Sequence, residues 1–232
     1  MTSPGSGSLF APGPPIREGE PTLRVTEIFR SIQGESTHAG FPCAFIRLTG
    51  CSLRCVWCDT AYAFHGGSDM TVGDAAERVL ALQTDLVEVT GGEPLEQEAV
   101  YPLMDRLLGS GKTVLLETGG HVPLDRVDPR VVKIMDVKAP GSGMQAANLT
   151  ENLDRLSSRD ELKFVLADRA DFDWALGFVR ERGLDERHVV TFSPVWEILA
   201  AGELAGWVRD SGRRIRLGVQ LHKLLWGDVP GR

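Results

Sequence analysis

Three cysteines lie close together in the chain, at Cys51, Cys55 and Cys58. Their spacing, C-x-x-x-C-x-x-C, supplies three thiolates, which are soft ligands that favour zinc, copper(I) or iron–sulfur clusters. A cluster held by three protein ligands keeps one metal corner free for an outside ligand, much as a catalytic zinc keeps an open coordination position. The spacing therefore favours an iron–sulfur centre that carries out chemistry.

Two other interpretations of these cysteines stay open. A structural zinc site could take His65 as its fourth ligand, although small zinc sites usually pair their ligands across two turns. A disulfide with one free thiol would suit a secreted protein, but residues 1–20 have neither the basic nor the apolar region of a signal peptide. The fourth cysteine, Cys43, falls in an apolar run and is expected in a buried strand.

Composition bounds the class of protein. The chain has 232 residues and 42% hydrophobic content, enough for one sizeable core. With 32 acidic and 25 basic residues its net charge is −7, which argues against a nucleic-acid partner. No apolar stretch approaches the roughly 20 residues that cross a bilayer. Cysteines without an export signal predict a cytoplasmic protein. The Gly, Pro and Ser content predicts a disordered tail over residues 1–21, followed by one domain over 22–232.

Short β-branched runs alternate with segments of helical period, which predicts an α/β domain with a mostly parallel sheet. Some six βα units on so short a chain predict an incomplete (βα)6-type barrel, and an open doubly wound sheet is the alternative. The predicted strands span residues 23–28, 44–48, 86–90, 113–117, 131–135, 162–166, 189–192 and 215–220. The predicted helices span residues 72–83, 97–108, 149–156, 171–181 and 196–210.

Polar or glycine-rich segments follow five of the predicted strands, at residues 90–94, 117–121, 136–138, 193–194 and 220–223. In a barrel these segments meet at one rim, where active sites form. The first contains Gly91, Gly92 and Glu93, and it lacks the spacing of a phosphate-binding loop. Two glycines let the main chain approach a ligand, and Glu93 adds an acceptor suited to an ammonium group. The alternative is an ordinary tight turn.

The cysteine spacing together with Gly91-Gly92-Glu93-Pro94 resembles the radical S-adenosylmethionine superfamily, and Trp57 before the last cysteine is also typical of it. The resemblance implies a [4Fe-4S] cluster on Cys51, Cys55 and Cys58, with S-adenosylmethionine on the open iron. Longer matches resemble one member, the 7-carboxy-7-deazaguanine synthase family. They cover residues 27–35, 45–51, 58–60, 136–143, 162–165, 192–196 and 220–227.

This second resemblance implies a reaction. A radical formed from S-adenosylmethionine takes a hydrogen from 6-carboxy-5,6,7,8-tetrahydropterin, and the ring contracts to 7-carboxy-7-deazaguanine with loss of ammonia. The product serves queuosine and 7-deazapurine biosynthesis, a tRNA modification pathway. The resemblance also implies Mg²⁺, an electron donor such as flavodoxin or ferredoxin, and a homodimer. Two alternatives stay open: an activase that installs a glycyl radical on a partner protein, and a non-catalytic zinc-binding module.

The resemblance assigns site residues as well. Arg47 would hold the substrate carboxylate, and Thr60 would bind Mg²⁺. The other substrate-binding residues are Ile32, Gln33, Gly34, Glu35, Thr90 and His222. The residues assigned to S-adenosylmethionine are Trp57, Cys58, Asp59, Gly91, Gly92, Glu93, Thr118, Asp136, Val137 and Lys138. Without the resemblance, Arg47 would be interpreted as a paired strand residue, Thr60 as a cap and His222 as a surface residue.

The chain departs from the family pattern at three places. Ser36 stands where the family usually has glycine, so the local turn is expected to differ. His121 ends a Glu-Thr-Gly-Gly-His segment where Glu-Thr-Ser/Asn-Gly-Thr is commoner. The chain also continues past Gly227, so no substrate contact is assigned to its terminal carboxylate.

Overall fold

The structure, a computed structural model, describes residues 19–231. Its strands form where β-branched and large apolar residues are concentrated. In chain order they are β1 (Thr22–Ile32), β2 (Pro42–Leu48), β3 (Ser68–Thr71), β4 (Leu86–Gly91), β5 (Thr113–Thr118), β6 (Val132–Asp136), β7 (Glu161–Leu166), β8 (Val189–Pro194) and β9 (Ile215–Leu217). Residues 1–18 of the predicted tail lie outside the described residues.

The α-helices of residues 19–231 lie between and after these strands. They are α1 (Val72–Leu80), α2 (Val100–Gly109), α3 (Arg169–Arg182), α4 (Leu184–Arg187), α5 (Ala201–Asp210) and α6 (Leu221–Trp226). Side chains and glycines set several of their ends. The Thr71 hydroxyl accepts a hydrogen bond from the Asp74 N–H at the start of α1. Gly183 ends α3 with a φ of 58°, in the left-handed region that glycine tolerates. In this part of the chain, no helix has the length and apolar character that a bilayer crossing needs.

One mixed sheet contains all nine strands of the described residues, in the order β3-β1-β2-β4-β5-β6-β7-β8-β9. From β2 through β9 the neighbours pair in parallel, whereas β1 is antiparallel to both β2 and β3. The two ends of this order, β3 and β9, do not pair with each other. The sheet is therefore an open arc, as an incomplete barrel requires.

The two faces of the sheet bury different cores. One core joins strand residues such as Val89 and Phe164 to helix residues such as Leu103 and Phe172. The other core contains only strand residues, namely Phe29, Cys43, Phe45, Leu86, Leu115, Val132 and Ile134. A doubly wound sheet would place helices on both faces. The helices pack on one face here, so the predicted incomplete barrel is confirmed, and Cys43 lies in a buried strand as expected.

Three predicted elements differ from the structure. The predicted helix over 149–156 is a 3₁₀-helix, Thr150–Arg155, whose Asn152 side chain bonds Gly120 O, Val122 O and Leu124 N. The predicted helix over 196–210 begins only at Ala201. The predicted last strand stops at Leu217, and the rim segment that follows it enters α6. β3 and the antiparallel pairing of β1 were not predicted.

Candidate active site

A cavity of about 470 Å³ opens at the carboxyl ends of the parallel strands. This is where barrel and open α/β folds place their ligands. Most of the sequence-predicted site residues line it: Glu35, Arg47, Cys51, Cys55, Trp57, Cys58, Asp59, Thr60, Thr90, Gly91, Gly92, Thr118, Asp136, Lys138 and His222. The predicted rim of polar segments therefore exists as one continuous lining.

Five predicted residues do not line this cavity: Ile32, Gln33, Gly34, Glu93 and Val137. Val137 is buried, with its N–H donated to Lys163 O at 2.8 Å. The Gln33 side chain is also buried; its amide donates to Glu88, and its oxygen accepts from the Glu35 N–H at 3.0 Å. The contact predicted between this amide and the substrate edge stays a prediction, and within the protein Gln33 fixes the main chain at Glu35.

The cysteine loop, residues 50–60, curls around one arginine. The Arg54 guanidinium donates to the carbonyls of Cys51 and Leu53, and it stacks over the Phe64 ring 4.4 Å from the ring centre. The Val56 N–H donates to Ser142 O at 3.0 Å, which attaches the loop to the segment after β6. Main-chain and arginine contacts thus shape the loop before any metal binds.

The cysteine geometry tests what this loop could hold. Cys51, Cys55 and Cys58 are all free thiols of intermediate exposure. Among residues 19–231, no group of three His, Cys, Asp or Glu side chains converges tightly enough for a single metal ion, so a zinc site with His65 has no preformed geometry. A cubane binds each cysteine through a different iron, which spreads the thiolates further apart. Three half-buried thiols on one cavity wall fit such a cluster.

Burial governs the state of these thiols in the metal-free chain. It raises the pKa of Cys51 to about 11, and it also raises the pKa values of Cys55 and Cys58. The Lys138 ammonium opposes these increases without cancelling them. Cluster binding must therefore displace thiol protons.

The turn at residues 91–94 packs directly on the cysteine loop. The Glu93 N–H donates to Gly50 O at 2.7 Å, and the Gly92 N–H donates to Leu48 O at 3.1 Å. A Cβ on Gly92 would overlap the Gly50 carbonyl and come within 2.8 Å of the Cys51 Cβ. Glycine is therefore required for this close approach.

The Glu93 side chain points into the protein and bonds two neighbouring loops. It is completely buried, and it accepts from Thr118 Oγ1 at 2.9 Å, from the Gly119 N–H at 2.8 Å and from the Leu95 N–H at 3.1 Å. The predicted contact of the Glu93 segment with a ligand ammonium stays a prediction. Glu93 joins the turn after β4 to the loop after β5.

His121, the second departure from the family pattern, lies in the same junction. Its Nε2 is 3.1 Å from Glu96 Oε1 and 3.2 Å from Ser52 Oγ, and Glu96 Oε1 also accepts from the Ser52 N–H at 2.9 Å. The imidazole thus links the loop after β5 to the residue that follows Cys51. This contact supports the cysteine loop from behind.

The cavity floor contains a charged cluster that the sequence did not reveal. Lys163 Nζ lies 2.6 Å from Glu35 Oε2 and 2.8 Å from Glu117 Oε1. Thr90 Oγ1 donates to the other Glu117 oxygen at 3.2 Å. Glu35 Oε1 is buried and has no hydrogen-bond partner among residues 19–231. That orphaned oxygen is free to accept hydrogen bonds from a bound heterocycle.

Charges on this floor set its protonation. Burial would raise the pKa of Glu117, but the adjacent Lys163 ammonium outweighs it and lowers this pKa to about 2. Burial raises the pKa of Glu35 despite the same ammonium. Burial also raises the pKa of Glu88 well above its usual range, and the Glu117 and Glu35 charges add to the increase. Glu88 is therefore harder to ionise than Glu117.

Ser36 adopts the conformation that glycine favours, which explains the family preference. Its φ is 62°, in the left-handed region, and its hydroxyl accepts from the His38 N–H at 3.1 Å. Next to it, Thr37 donates to the buried Glu161 of β7. Ser36 therefore adopts a left-handed turn after Glu35, and a difference from the family's turn stays a prediction.

Arg47 and the pair Asp136 and Lys138 place further charges on the cavity wall. Arg47 Nε donates to Glu27 Oε1 at 2.7 Å, and the two terminal nitrogens bind no other described residue. Lys138 Nζ is 2.8 Å from Asp136 Oδ2, while Asp136 Oδ1 is buried without a partner among residues 19–231. A free guanidinium fork fits a carboxylate, and a free carboxylate oxygen fits a donor.

The C-terminal segment closes the opposite wall. The Leu221 N–H donates to Gly34 O at 2.9 Å, and a Cβ on Gly34 would overlap the His222 ring. Gly34 thus makes room for His222 at the cavity without lining it. Burial lowers the pKa of His222, and the Lys223 charge adds to this effect.

Asp59 ties the cysteine loop to this segment. Its Oδ2 lies 2.8 Å from Lys223 Nζ and 3.1 Å from Gln220 Nε2, and its Oδ1 accepts from Thr60 Oγ1 at 2.8 Å. Burial would raise the pKa of Asp59, but Lys223 holds it well below its usual range. The Thr60 hydroxyl donates its hydrogen bond to Asp59. The lone pairs of the Thr60 oxygen therefore remain available to a cation.

Known proteins are similar in sequence to most of this chain. A 7-carboxy-7-deazaguanine synthase from Koribacter versatilis is 46% identical over 219 residues, covering 88% of this chain and 97% of the relative. The chain belongs to the 7-carboxy-7-deazaguanine synthase family. A second member, from Chlorobaculum tepidum, is also 46% identical and covers 89% of this chain and 96% of its own. The predicted resemblance is thereby confirmed.

Two coarser comparisons agree with membership of this family. The model of the radical SAM superfamily matches residues 45–148, which contain the cysteine loop and the turn at 91–94. The crystal structure of QueE from Escherichia coli superposes with a TM-score of 0.69 at 23% identity, over 87% of this chain and 95% of that one. At 23% identity, this similarity supports the fold of the chain but not its function. Neither the activase nor the zinc-binding module is favoured by these relatives.

Proposed function

We propose that this protein converts 6-carboxy-5,6,7,8-tetrahydropterin to 7-carboxy-7-deazaguanine with loss of ammonia. The 46% identity along 97% of a 7-carboxy-7-deazaguanine synthase carries the proposal. Queuosine and related 7-deazapurines are the proposed end products. The cofactors are a [4Fe-4S] cluster, S-adenosylmethionine and Mg²⁺. When bound, the cluster and S-adenosylmethionine supply the radical chemistry that removes hydrogen from the substrate.

The substrate is proposed to lie between Arg47 and the charged floor. The two terminal nitrogens of Arg47 have no hydrogen-bond partner among residues 19–231, and they can bind the pterin carboxylate in a fork. Glu35 presents its orphaned Oε1 to the donor-rich edge of the heterocycle. Lys163 holds the second Glu35 oxygen at 2.6 Å and so orients the carboxylate before the substrate arrives. Thr90 and His222 complete the surrounding wall.

The cofactors are proposed to occupy the opposite side. Cys51, Cys55 and Cys58 would hold the cluster, and the main chain at Gly92 packs closely on the cysteine loop because Gly92 has no side chain. Asp136 offers its unpaired Oδ1 to S-adenosylmethionine, with Trp57, Asp59, Thr118 and Lys138 on the same lining. Thr60 offers hydroxyl lone pairs to Mg²⁺, whose other ligands come from substrate and water.

We also propose an electron donor, a homodimer and a cellular location, from exposed residues and from the free cysteines. A small electron donor such as flavodoxin or ferredoxin has access to the cysteine loop, where Val56 is 76% exposed beside Cys55. Exposed Leu224, Leu225 and Trp226 on α6 support a homodimer, because clustered apolar surface favours association. Four free cysteines support a cytoplasmic location.

An anaerobic assay tests the activity. Reconstituted protein receives dithionite, S-adenosylmethionine, Mg²⁺ and the carboxytetrahydropterin, and products are identified by mass spectrometry. We expect 7-carboxy-7-deazaguanine to form with little net consumption of S-adenosylmethionine. Absence of this product from cluster-loaded protein would contradict the assignment. Stoichiometric consumption of S-adenosylmethionine would instead indicate another radical reaction.

A further inference from the structure

Asp59 lies beside a proposed cation ligand but is itself bonded to other side chains. It adjoins Thr60, the proposed Mg²⁺ ligand, and a carboxylate is the protein ligand that Mg²⁺ prefers. Yet both Asp59 oxygens are occupied, Oδ1 by the Thr60 hydroxyl at 2.8 Å and Oδ2 by Lys223 at 2.8 Å and Gln220 at 3.1 Å. Both residues line the cavity, but the carboxylate is paired with an ammonium whereas the hydroxyl is neutral.

Lys223 is well suited to withhold this carboxylate. It is 5% exposed, and its other acidic contact is Asp228 at 3.4 Å. Its ammonium lies 6.0 Å from the centre of the Trp196 ring, which closes the site on that side. Because α6 carries Lys223, the C-terminal segment places a full positive charge beside the cysteine loop. That charge neutralises Asp59 and repels a divalent cation nearby.

We propose that Lys223 is a positioning residue that withholds Asp59 from the divalent cation, so that cation binding depends on the oxygens of the substrate. With Asp59 paired to Lys223, its neighbour Thr60 offers the cation a neutral hydroxyl. A neutral hydroxyl alone binds Mg²⁺ weakly, and a substrate carboxylate supplies the missing charge. Asp59 in turn orients the Thr60 hydroxyl, as partners of metal ligands commonly do. This inference rests on the proposed function, whose magnesium site it refines.

Mn²⁺ binding without substrate tests the inference. Free Mn²⁺ is measured by electron paramagnetic resonance as it is titrated into full-length, cluster-loaded protein. We expect Lys223→Met to bind Mn²⁺ at least about tenfold more tightly than the unaltered protein, because the ammonium is gone and Asp59 is released. Adding Asp59→Asn to that variant should abolish the gain. Lys112→Met, which removes an ammonium 3.8 Å from the exposed Asp85, should bind as the unaltered protein does.

Two results would overturn the inference. One is Mn²⁺ affinity in folded Lys223→Met no greater than in the unaltered protein. The other is a gain that survives Asp59→Asn, since the cation would then bind elsewhere. Circular dichroism and iron content report folding. If Lys223→Met fails to fold, Lys223→Gln removes the charge but keeps a donor, and it should show a smaller gain. Substrate is absent throughout, so failure here is separate from failure to form 7-carboxy-7-deazaguanine.

Discussion

Lys163 is the residue whose loss should be most informative, because one ammonium organises two carboxylates on the cavity floor. In Lys163→Met the side chain keeps its length but loses its charge. Glu35 and Glu117, which lie 2.6 and 2.8 Å from Nζ, then face each other without a cation between them. Breaking a buried ion pair in this way leaves uncompensated charge and is strongly destabilising.

The size of the effect follows from Glu117. Burial alone would raise its pKa, yet Lys163 lowers it from 4.5 to about 2. A shift of this size corresponds to roughly 3 kcal/mol of stabilisation. Protonation of Glu117 or Glu35 in the variant recovers some of this energy. We therefore expect Lys163→Met to lower the free energy of unfolding by about 2–3 kcal/mol at pH 7.

The loss of unfolding free energy caused by Lys163→Met depends on pH. A carboxyl group with a lowered folded pKa stabilises the protein above its unfolded pKa, here 4.5, and that stability is lost as pH falls toward about 2. Lys163, whose pKa is raised above 10.5, contributes fully below that value. The deficit of the variant should thus be largest where both carboxylates stay ionised and Lys163 is charged, and it should shrink as the pH falls and Glu35 and Glu117 take up protons.

Urea unfolding of the metal-free full chain, followed by circular dichroism, measures this deficit. The matched control is Lys112→Met, whose partner Asp85 is exposed, and it should change the free energy of unfolding by less than about 1 kcal/mol. In the turnover assay, Lys163→Met should lower kcat/KM about 10- to 100-fold, because Glu35 loses a charge-assisted contact. A deficit no larger than that of the control, with unchanged kcat/KM, would refute the reasoning.

Substitutions at four further positions test other features. Cys55→Ala should remove the visible absorbance of the cluster and all turnover, while the circular dichroism spectrum stays unchanged. Arg47→Ala should raise the substrate KM about 10- to 100-fold by removing the carboxylate fork, with a smaller change in kcat. Ser36→Gly should preserve or slightly raise the urea midpoint, whereas Ser36→Val should lower the free energy of unfolding by about 1–2 kcal/mol, because φ is 62°. Gly34→Ala should lower kcat/KM at least about tenfold, since its Cβ would displace the His222 ring.

Each of these has a result that would count against it. Cys43 offers the matched control for the cluster, because it is fully buried away from the cavity lining, and Cys43→Ala should keep its iron. Turnover in Cys55→Ala would remove the cluster assignment. An unchanged KM in Arg47→Ala would exclude its carboxylate role. Equal stability of Ser36→Gly and Ser36→Val would show that the left-handed turn relaxes freely, and full activity in Gly34→Ala would show the same for His222.

The sequence predicted the parallel part of the sheet well, since each strand there is a short, strongly apolar run. It failed where local signals were weak. β3 has the sequence Ser-Asp-Met-Thr and no apolar alternation, so only its pairing with β1 makes it a strand. α6 is six residues long and follows a strand without a cap signal. The segment at Thr150–Arg155 had helical spacing, but Asn152 binds the neighbouring loop and fixes a tighter turn.

The sequence predicted site residues that line the cavity. It did not predict the roles of residues that hold the surrounding loops in place. Motif matching placed Gln33 and Glu93 at ligands, although both side chains point into the protein and hold other loops. Lys163 was overlooked because a strand lysine is commonly solvent-exposed. One signal could have found it. Glu88, Glu117 and Lys163 each interrupt an otherwise apolar strand, and a charge in such a run must either meet a partner or line a cavity.

The two edge strands of the open sheet, β3 and β9, each lack a neighbour on one side among the described residues. Their lengths affect how readily the protein associates in concentrated solution. β3 has four residues and β9 has three, whereas the strands between them have five to eleven. A short border offers few free main-chain groups for another molecule to pair with. β3 covers β1 only over residues 22–25, so among the described residues the remainder of β1, residues 26–32, pairs on the β2 side alone and is the longest border of the arc.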